Sequence, residues 1–528
     1  MSVGPWWHGS VLYQLYVRSW RDSNGDGYGD IAGIVERLDH LSWLGVDGVW
    51  LSPTMPSPDE DWGYDVSDYR GVHPELGTTH DLDALIAAAA TRGMRVLLDL
   101  VPNHTSAAHP WFVDAATARD SAHRDYYVWA DAAPGGGPPN NWLDNTGHCA
   151  WQWDATTGQY YLHNFLAGQP DLNWWLPAVH AEFRDILEFW FDRGVAGIRI
   201  DVAHGLYKDA ELRDNPPPPP GSSELDGQFG YQRLYNANRP EVHGVYRDWR
   251  KMADSYSPPR LLLGETWVGE ADRLASFYGD GDELQLAFNF PFAFAHFEMP
   301  DIAQVVSHTL AALPSGACPV WMGSNHDIGR FPSRWCHGDE RLTRLALLML
   351  LTLPGTAVLY YGDEIGMTDL DVPPELQRDA MTRGTANPGD NRDRGRTPMR
   401  WDDSAGAGFT AADVRPWLPL PPSSAPNVAA QRADTGSTLW FCRQLIAMRH
   451  AEIGTALAEF ELLQGPPGLL AYRVGGLVVA VNLSAEPAPV PAQAGQLLLD
   501  TTAAPGQPTL QRPAMLQPWQ GIVARWQP

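Results

Sequence analysis

The chain is poor in cysteine and in positive charge. Its four cysteines lie far apart in 528 residues and form no C-x-x-C pair: Cys149, Cys318, Cys336 and Cys442. This spacing excludes the usual zinc-ribbon and disulfide-framework patterns, and it predicts four free thiols. Lysine and arginine total 37 against 63 aspartate and glutamate, so the formal net charge is −26. Because nucleic acids and anionic membranes bind to basic surfaces, this balance argues against both as partners.

The chain also lacks long apolar segments. No run reaches the length of about 18 apolar residues that a membrane-spanning helix needs. The first residues, MSVGPWWHGSVLYQLYV, contain neither a basic start nor a long hydrophobic stretch, which argues against a secretory signal peptide. We therefore expect a cytoplasmic protein with no membrane partner. The sequence contains no internal repeat, and nothing in it indicates an oligomeric state.

Apolar residues make up 44% of the chain, which is enough for a large globular core. Near-continuous runs of Val, Ile and Leu predict strands buried on both faces, as in a parallel sheet. Eight such runs occur, at residues 11–20, 46–53, 94–104, 195–203, 260–268, 284–290, 318–327 and 356–366. Apolar residues at helical spacing, ending near glycine, predict helices at 34–45, 81–93 and 180–194. Strands that alternate with helices predict an α/β fold of the (β/α)8 TIM-barrel type.

Three segments depart from the barrel rhythm. Residues 105–175 are rich in Gly, Pro, Asn and Trp, which predicts an inserted subdomain after the third strand. A second insertion at 214–230 contains a proline run that should be extended and exposed. Residues 455–528 contain short strands and turns, which predicts a C-terminal antiparallel β domain. The barrel itself is then expected to comprise residues 1–104 and 176–454.

Carboxyl groups follow several of the predicted strands, at the end where barrel enzymes carry their active sites. Asp201 and Glu265 end consecutive strands, and Asp327 follows the seventh strand beside His326. Two carboxyl groups that face each other are what hydrolysis of a glycosidic bond requires. Arg199, two residues before Asp201 on the same strand face, is expected to keep the Asp201 carboxyl group ionised. Singly, each acid could equally be a helix cap, a turn residue or a surface group.

Four short motifs make the pattern specific. They are DLVPNH (99–104), GIRIDVA (197–203), GETW (264–267) and SNHD (324–327), and they resemble, in order and spacing, the motifs of the α-amylase family of glycoside hydrolases. QPDLN (169–173) and GRTPMRW (395–401) resemble segments of its α-glucosidase and oligo-1,6-glucosidase subgroup, and the resemblance covers essentially the whole chain. The chain is therefore similar to retaining enzymes that release glucose from short α-gluco-oligosaccharides, and we expect an oligosaccharide substrate.

The resemblance implies a role for each matching residue. Asp201 would be the nucleophile, and Glu265 would be the general acid and then the general base, with a raised pKa. Asp327 would hold the hydroxyls of the distorted sugar. Four further residues would contact the same sugar ring: Arg199, His104, His326 and Tyr64.

Two features bear on specificity in the resembling subgroup. There, the aspartate of a segment like DWGYD (61–65) pairs with the arginine of RTPM (396–399), which implies an ion pair between Asp61 and Arg396. This pair would close the pocket beyond the terminal sugar and restrict the enzyme to chain ends; a surface salt bridge is the alternative. Val202, directly after the nucleophile, accompanies α-1,6 activity in the subgroup, but the following residues 203–205 depart from that pattern. Both linkages therefore stay open, with α-1,4 favoured.

The segment DSNGDGYGD (22–30) has the spacing of the first part of a calcium loop. Its oxygen ligands would be Asp22, Asn24, Asp26, the Tyr28 carbonyl and Asp30. The twelfth position is Gly33 rather than Glu, so the loop is not a complete helix–loop–helix site. We expect a structural divalent ion, Ca²⁺ or Mg²⁺, and no organic cofactor. The alternative is a polar turn held by its own side chains.

Other functions share parts of this pattern. Glucosyl-transferring enzymes and sucrose or trehalose isomerases would use the same site but pass the glucosyl group to a sugar. A transporter partner without catalysis would need a membrane helix and would have lost part of the carboxyl set. An endo-acting amylase would not need the closing pair.

Overall fold

We describe the protein from a computed structural model, which covers residues 4–222, 228–381, 391–454, 458–503 and 512–527. Its strands, in chain order, are β1 (Val11–Leu15), β2 (Gly48–Leu51), β3 (Arg95–Leu100), β4 (Trp129–Ala130), β5 (Trp151–Asp154), β6 (Gln159–Leu162), β7 (Gly197–Ile200), β8 (Leu261–Gly264), β9 (Leu286–Ala287), β10 (Val320–Met322), β11 (Thr356–Tyr360), β12 (Phe460–Leu462), β13 (Leu469–Val474), β14 (Leu477–Asn482), β15 (Ala488–Pro489), β16 (Ala494–Asp500), β17 (Met515–Leu516) and β18 (Gly521–Trp526).

Eight strands form one parallel sheet in the order β10-β11-β1-β2-β3-β7-β8-β9. Each strand therefore pairs with its neighbour in the barrel sequence, and β1 pairs with both β2 and β11. Each of the eight apolar runs contains one of these strands, so the predicted TIM barrel is confirmed. Their inward side chains form a buried core of large apolar groups that includes Leu12, Trp50, Leu97, Leu263, Met322 and Val358.

The helices surround this sheet. They are α1 (Ile31–Leu44), α2 (Thr79–Thr91), α3 (Pro110–Ala115), α4 (Pro177–Asp192), α5 (Val242–Ser255), α6 (Ala271–Ser276), α7 (Phe290–Phe294), α8 (Met299–Ala312), α9 (Phe331–Arg334), α10 (Glu340–Thr352), α11 (Val428–Ala433) and α12 (Thr438–Met448). Helix α1 begins where the Asp30 side chain accepts from the Gly33 amide, and it ends at Gly45 with φ +96°. Both are common helix boundaries, because a carboxylate satisfies a free amide and glycine tolerates the left-handed conformation.

The segment between β3 and α4 forms a small antiparallel sheet in the order β4-β6-β5. Trp142 and Trp151 stack in its core with ring centroids 5.8 Å apart. The insertion after β7 packs against this sheet: the Asn215 amide donates to Asn236, and Asn236 donates to Asn164. The proline run at 216–220 has no regular secondary structure and is partly to fully exposed, as predicted; residues 223–227 of the same insertion lie outside the described residues.

The C-terminal segment forms a five-stranded antiparallel sheet in the order β12-β13-β14-β18-β16, as the sequence predicted. It packs on the barrel helices, and the Tyr472 hydroxyl lies 2.5 Å from Thr352 Oγ1 at the end of α10. All four cysteines are free, as predicted; three are buried and Cys149 is exposed. In the part of the chain that the structure describes, no helix is long and apolar enough to cross a membrane.

Candidate active site

The predicted site residues converge at the carboxyl ends of the barrel strands. Asp201 follows β7 directly, and Glu265 follows β8 directly. Asp327 and His326 lie in the loop after β10, while His104 follows β3. The loop after β2 supplies Asp61 and Tyr64, and the loop after β11 supplies Arg396. These side chains come together because parallel barrel strands all end at the same edge.

Arg199, in β7, is the centre of the first charged cluster and is fully buried. Its Nη1 lies 2.8 Å from Asp99 Oδ1 and 2.6 Å from Asp201 Oδ1. Its Nη2 lies 2.6 Å from Glu265 Oε1. One guanidinium therefore contacts three carboxyl groups, and it holds Asp201 and Glu265 within a few ångström of each other.

This charge imbalance favours retention of a proton among the carboxyl groups. Burial raises the pKa of Glu265, and the neighbouring Arg199 only partly offsets this. The direction agrees with the raised pKa that we expect for the acid. Burial also raises the pKa of Asp99 to about 7. Burial also raises the pKa of Asp201, and the carboxylates of Glu265 and Asp99 add to the rise, whereas Arg199 lowers it in the direction that the sequence predicts. Asp201 and Glu265 therefore compete for one proton, and the arginine favours the state in which one of the two is ionised.

A second cluster surrounds Asp327, whose side chain is 20% exposed. Its Oδ1 lies 3.1 Å from Arg392 Nη1 and 3.1 Å from Arg396 Nη2. Burial alone would raise the pKa of Asp327, but His326 and the two arginines hold it below its usual range. Asp327 is therefore ionised at neutral pH.

The predicted pairing of Asp61 with Arg396 is wrong. Asp61 Oδ1 instead lies 2.6 Å from Nη2 of Arg392, four residues earlier in the chain. Arg396 is fully buried beneath this loop, where its Nε donates to the His326 carbonyl at 2.9 Å. A short 3-10 helix at Arg392–Gly395 separates the two arginines, so Arg392 points towards Asp61 and Arg396 towards the base of the loop.

Arg392 joins three acidic side chains. Besides Asp61 and Asp327, it contacts the buried carboxylate of Asp379 at 2.7 Å from Nη2 and 3.0 Å from Nε. Because Asp379 accepts from two N–H groups along one edge of the guanidinium, the remaining N–H groups have a fixed direction. Asp61 and Asp327 lie where those groups point.

The two predicted histidines are buried and neutral. Burial lowers the pKa of His104 to about 4 and that of His326 well below its usual range. His104 Nε2 lies 3.1 Å from the Tyr64 carbonyl. The Tyr64 ring stacks on the His326 ring, with centroids 5.3 Å apart and planes 5° from parallel. Both histidines therefore offer N–H donors rather than positive charge.

Val202 has a left-handed backbone, with φ +46°. This conformation is strained for a β-branched residue, and such strain concentrates at functional sites. Here it directs the Val202 amide to donate to Glu265 Oε2 at 3.0 Å. The peptide after Asp201 thus contacts the Glu265 carboxyl group.

The candidate metal loop is held by its own hydrogen bonds. Asp22 accepts from the Gly25 and Gly27 amides, and Asp26 accepts from the Tyr28 amide. Asp30 caps α1 and also accepts from Ser23, while the Asn24 side chain accepts from the Asp26 amide at 2.9 Å. Carboxylate, amide and carbonyl oxygens are a donor set that suits Ca²⁺ or Mg²⁺.

The three loop aspartates do not group tightly. Among the described residues, the acidic and histidine side chains whose ligand atoms lie within 4.8 Å of one another are Asp59, His73 and Glu75. Arg18 already supplies a cation there, at 2.7 Å from Asp59 and 2.8 Å from Glu75. The ion at residues 22–30 therefore stays a prediction.

Several residues in the site had no role assigned from the sequence. Asp99, in the motif DLVPNH, belongs to the polar residues at the predicted strand ends, but its contact with Arg199 is visible only in the structure. Gln169, from QPDLN, donates to Asp61 Oδ2 at 3.2 Å. Arg392 and Asp379 lie in a loop with several charges, and its sequence carries no signal for which of them face the pocket.

Comparison with known proteins agrees with this architecture. The alpha amylase catalytic domain profile matches residues 14–458, and a domain of unknown function, DUF3459, matches residues 457–523. The chain is 40% identical over 483 residues to a probable alpha-glucosidase of Rhizobium meliloti (strain 1021), covering 88% of this chain and 86% of that protein. It is 35% identical to an oligo-1,6-glucosidase of Heyndrickxia coagulans, covering 91% and 92%. A solved alpha-glucosyl transfer enzyme superposes with a TM-score of 0.92 at 36% identity, covering 99% of this chain and all of that one.

The barrel, with paired carboxyl groups at the ends of adjacent strands, defines a glycoside hydrolase that acts on carbohydrate. Within that class, the chain belongs to the alpha-amylase family, with alpha-glucosidases and oligo-1,6-glucosidases among its relatives.

Proposed function

We propose that the protein is a retaining α-glucosidase that releases glucose, one unit at a time, from the non-reducing ends of short α-gluco-oligosaccharides. The contact of Arg392 with both Asp61 and Asp327 carries the proposal of end-specific action. It joins the loops after β2, β10 and β11 across one side of the site. A glucose ring held by Asp327 would meet this ionic wall, so the substrate chain could extend in only one direction.

Two displacements at the anomeric carbon complete the reaction. The Asp201 carboxylate attacks that carbon while the glycosidic C–O bond breaks and Glu265 gives its proton to the leaving oxygen. The Glu265 carboxylate then takes a proton from a water molecule, whose oxygen attacks the same carbon and displaces Asp201. Glucose leaves with its original anomeric configuration, and both carboxyl groups regain their starting protonation.

The charges of the site support this assignment of roles. Glu265 has a raised pKa because it is buried, which suits an acid that must hold a proton near neutral pH. Asp327 has a lowered pKa and stays anionic, which suits a group that stabilises positive charge on the sugar in the transition state. Arg199 contacts both Asp201 and Glu265, so it keeps their spacing fixed through both displacements.

For the linkage, we propose a preference for α-1,4 over α-1,6 bonds. The alpha-glucosidase relative shares 40% identity, against 35% for the oligo-1,6-glucosidase. Val202 supports the α-1,6 alternative, so relative rates on the two disaccharides must decide.

The test is to incubate the purified protein with maltose, isomaltose, sucrose, trehalose and maltoheptaose and to separate the products over time. We expect glucose and maltohexaose to be the first products from maltoheptaose. Internal fragments such as maltotriose at early times would contradict end-specific action. Faster cleavage of isomaltose than of maltose would overturn the proposed linkage preference.

Transfer of the glucosyl group to a sugar is the second candidate function, and the close superposition with an alpha-glucosyl transfer enzyme favours it. The same incubations separate the two reactions if glycerol or excess glucose is added as acceptor. New glucosides or isomeric disaccharides that exceed free glucose would identify a transferase or isomerase.

We further propose that residues 22–30 hold a structural divalent ion, which their oxygen donors support. Calcium titration by calorimetry, followed by thermal unfolding in chelator, tests this directly. Binding and a raised unfolding temperature should both be lost in Asp26→Ala. Equal unfolding temperatures in calcium and in chelator would identify the loop as a polar turn.

A further inference from the structure

Gln14 is a polar residue in the middle of a buried barrel strand. It lies in β1, where it is fully buried and pairs in register with Trp50 of β2 and Tyr360 of β11. Its side-chain Nε2 lies 2.7 Å from Nδ1 of His326. Nothing in the proposed mechanism uses this glutamine, although it contacts a histidine of the site.

The contacts of Nε2, on the opposite edge of the His326 ring, determine which ring nitrogen carries the proton. Its Nε2 lies 2.5 Å from the Tyr64 hydroxyl and 3.2 Å from Asp327 Oδ2. Because Asp327 is ionised, a bare Nε2 would place two acceptors against each other. Nε2 must therefore hold the proton, and Nδ1 of the neutral ring must accept one, which only the amide end of Gln14 can give.

The hydrogen bonds continue in one direction beyond His326. Nε2–H of His326 donates to the Tyr64 hydroxyl, and that hydroxyl donates to Asp99 Oδ2 at 3.1 Å. Asp99 in turn contacts Arg199, which holds the nucleophile. If Gln14 did not donate to Nδ1 of His326, each later hydrogen bond in this series would therefore be reversed or broken.

The opposite end of the Gln14 amide has no such partner. Its Oε1 is buried and accepts no hydrogen bond within the described part of the chain. An unsatisfied buried carbonyl costs free energy, and a leucine or methionine in this apolar strand would avoid that cost. The amide is therefore explained by what its nitrogen does and not by the stability of the strand.

We propose that Gln14 is a positioning residue that sets the proton of His326 on Nε2 and so orients the donors that meet the sugar. The proposal rests on the proposed glucosidase function for its kinetic test. It concerns the ring tautomer, which can also be observed without any turnover.

The charged groups around His326 define what a substitution should do. Asp327 favours a protonated ring, whereas Arg396, Arg199 and Arg392 oppose it, and the hydroxyl of Tyr64 faces Nε2. The Tyr16 ring covers the remaining side, 5.9 Å away between centroids. In Gln14→Glu, the carboxyl group and Nδ1 would share one proton. When rising pH removes that proton, the neutral ring has a single N–H. The carboxylate favours this hydrogen on Nδ1, so Nε2 becomes an acceptor.

The experiment measures kcat/KM against pH on 4-nitrophenyl α-glucoside for the wild type, Gln14→Glu and Gln14→Met. We expect the alkaline limb of Gln14→Glu to move, because the added carboxyl group introduces a second titration that changes the proton position on His326. Gln14→Met should lose about ten-fold or more in kcat/KM with unmoved limbs, since only the donor is removed. The matched control is Gln285→Glu, another buried glutamine beside a barrel strand, whose side-chain hydrogen bonds among the described residues go to backbone atoms of Leu262 and Arg260.

A shifted limb in Gln14→Glu alone supports the proposal. Superimposable profiles for Gln14→Glu and the wild type, or an equal shift in Gln285→Glu, would overturn it. An independent readout uses ¹⁵N-histidine labelling, with the His326 signals identified by their loss in His326→Gln. The wild type should show an unprotonated Nδ1 and a protonated Nε2, and the opposite pattern would also overturn the proposal. If the wild type cleaves no glucoside, the proposed function fails, while the ring signals still test the role of Gln14.

Discussion

The ionic partner of Asp61 can be tested quantitatively, because the sequence resemblance implies Arg396 whereas the structure shows Arg392. We predict that Asp61 is energetically coupled to Arg392 and much less to Arg396. The test is a pair of double-mutant cycles built from Asp61→Asn, Arg392→Gln and Arg396→Gln. All six proteins, including the wild type and the two double variants, are compared on the same substrate.

The expected size follows from the contacts. Asp61 Oδ1 and Arg392 Nη2 are 2.6 Å apart, and the two side chains are only 4% and 16% exposed. A hydrogen bond between charged groups in such a setting contributes about 1.5–3 kcal/mol, which corresponds to roughly 10- to 150-fold in kcat/KM. Arg396 reaches Asp61 only through Asp327 and Arg392, so its coupling should lie near the lower end, about 0.5 kcal/mol, of the range for groups that share a network without direct contact.

The assay is kcat/KM on maltose, with thermal unfolding of each variant to show that it is folded. In the first cycle, the double variant should lose little more than either single variant. In the second, the losses should multiply. Equal coupling in the two cycles, or stronger coupling to Arg396, would refute the assignment of the closing pair.

Three further predictions concern the reaction and its acids. Asp201→Asn should lower kcat on the order of 10⁴-fold, measured by glucose release, without a lower unfolding temperature; retention of a tenth of the activity would exclude Asp201 as the nucleophile. Glu265 must be protonated to act, and its pKa is raised, so activity should persist above pH 4.5 and fall as pH rises through the raised value; in Glu265→Gln this alkaline limb should vanish from the residual rate on 4-nitrophenyl α-glucoside. Asp379→Asn should raise KM for maltose more than it lowers kcat, by about ten-fold, because Arg392 loses a charged partner at 2.7 Å; a change in kcat alone would contradict a role in holding the bound sugar.

The barrel is predictable from sequence because burial leaves a clear pattern. A strand covered on both faces is mostly apolar, so even the two-residue strand β9 is found within the run at 284–290. The ends of the strands are equally informative, because Asp201 and Glu265 follow β7 and β8 directly. The apolar run and the acidic residue that follows it are both local features, so they can be read from one sequence.

Which arginine contacts Asp61 could not be predicted from the sequence. Arg392 and Arg396 are four residues apart in a loop, and either could reach the pocket on distance alone. The 3-10 turn between them and the bidentate contact of Arg392 with Asp379 determine which arginine faces Asp61. Both depend on tertiary packing that local sequence does not encode.

The effect of burial on Asp201 could not be read from the sequence for a related reason. One arginine two residues away suggests an ionised Asp201, and this is correct for an isolated pair. The fold adds Asp99 and Glu265 to the same guanidinium and removes the water around all four groups. Burial and like charge are properties of the assembled site, so sequence spacing underestimates them.

The contacts of the site span most of the chain. Gln14 meets His326 across 312 residues, and Asp61 meets Arg392 across 331. A ribosome adds about 5–20 residues per second, so the loop after β2 would wait roughly 15 seconds to over a minute for its arginine. For part of that interval the nascent chain contains Asp201 but not the arginine that contacts Asp61. The proposed ionic wall can therefore form only after residue 392 has emerged.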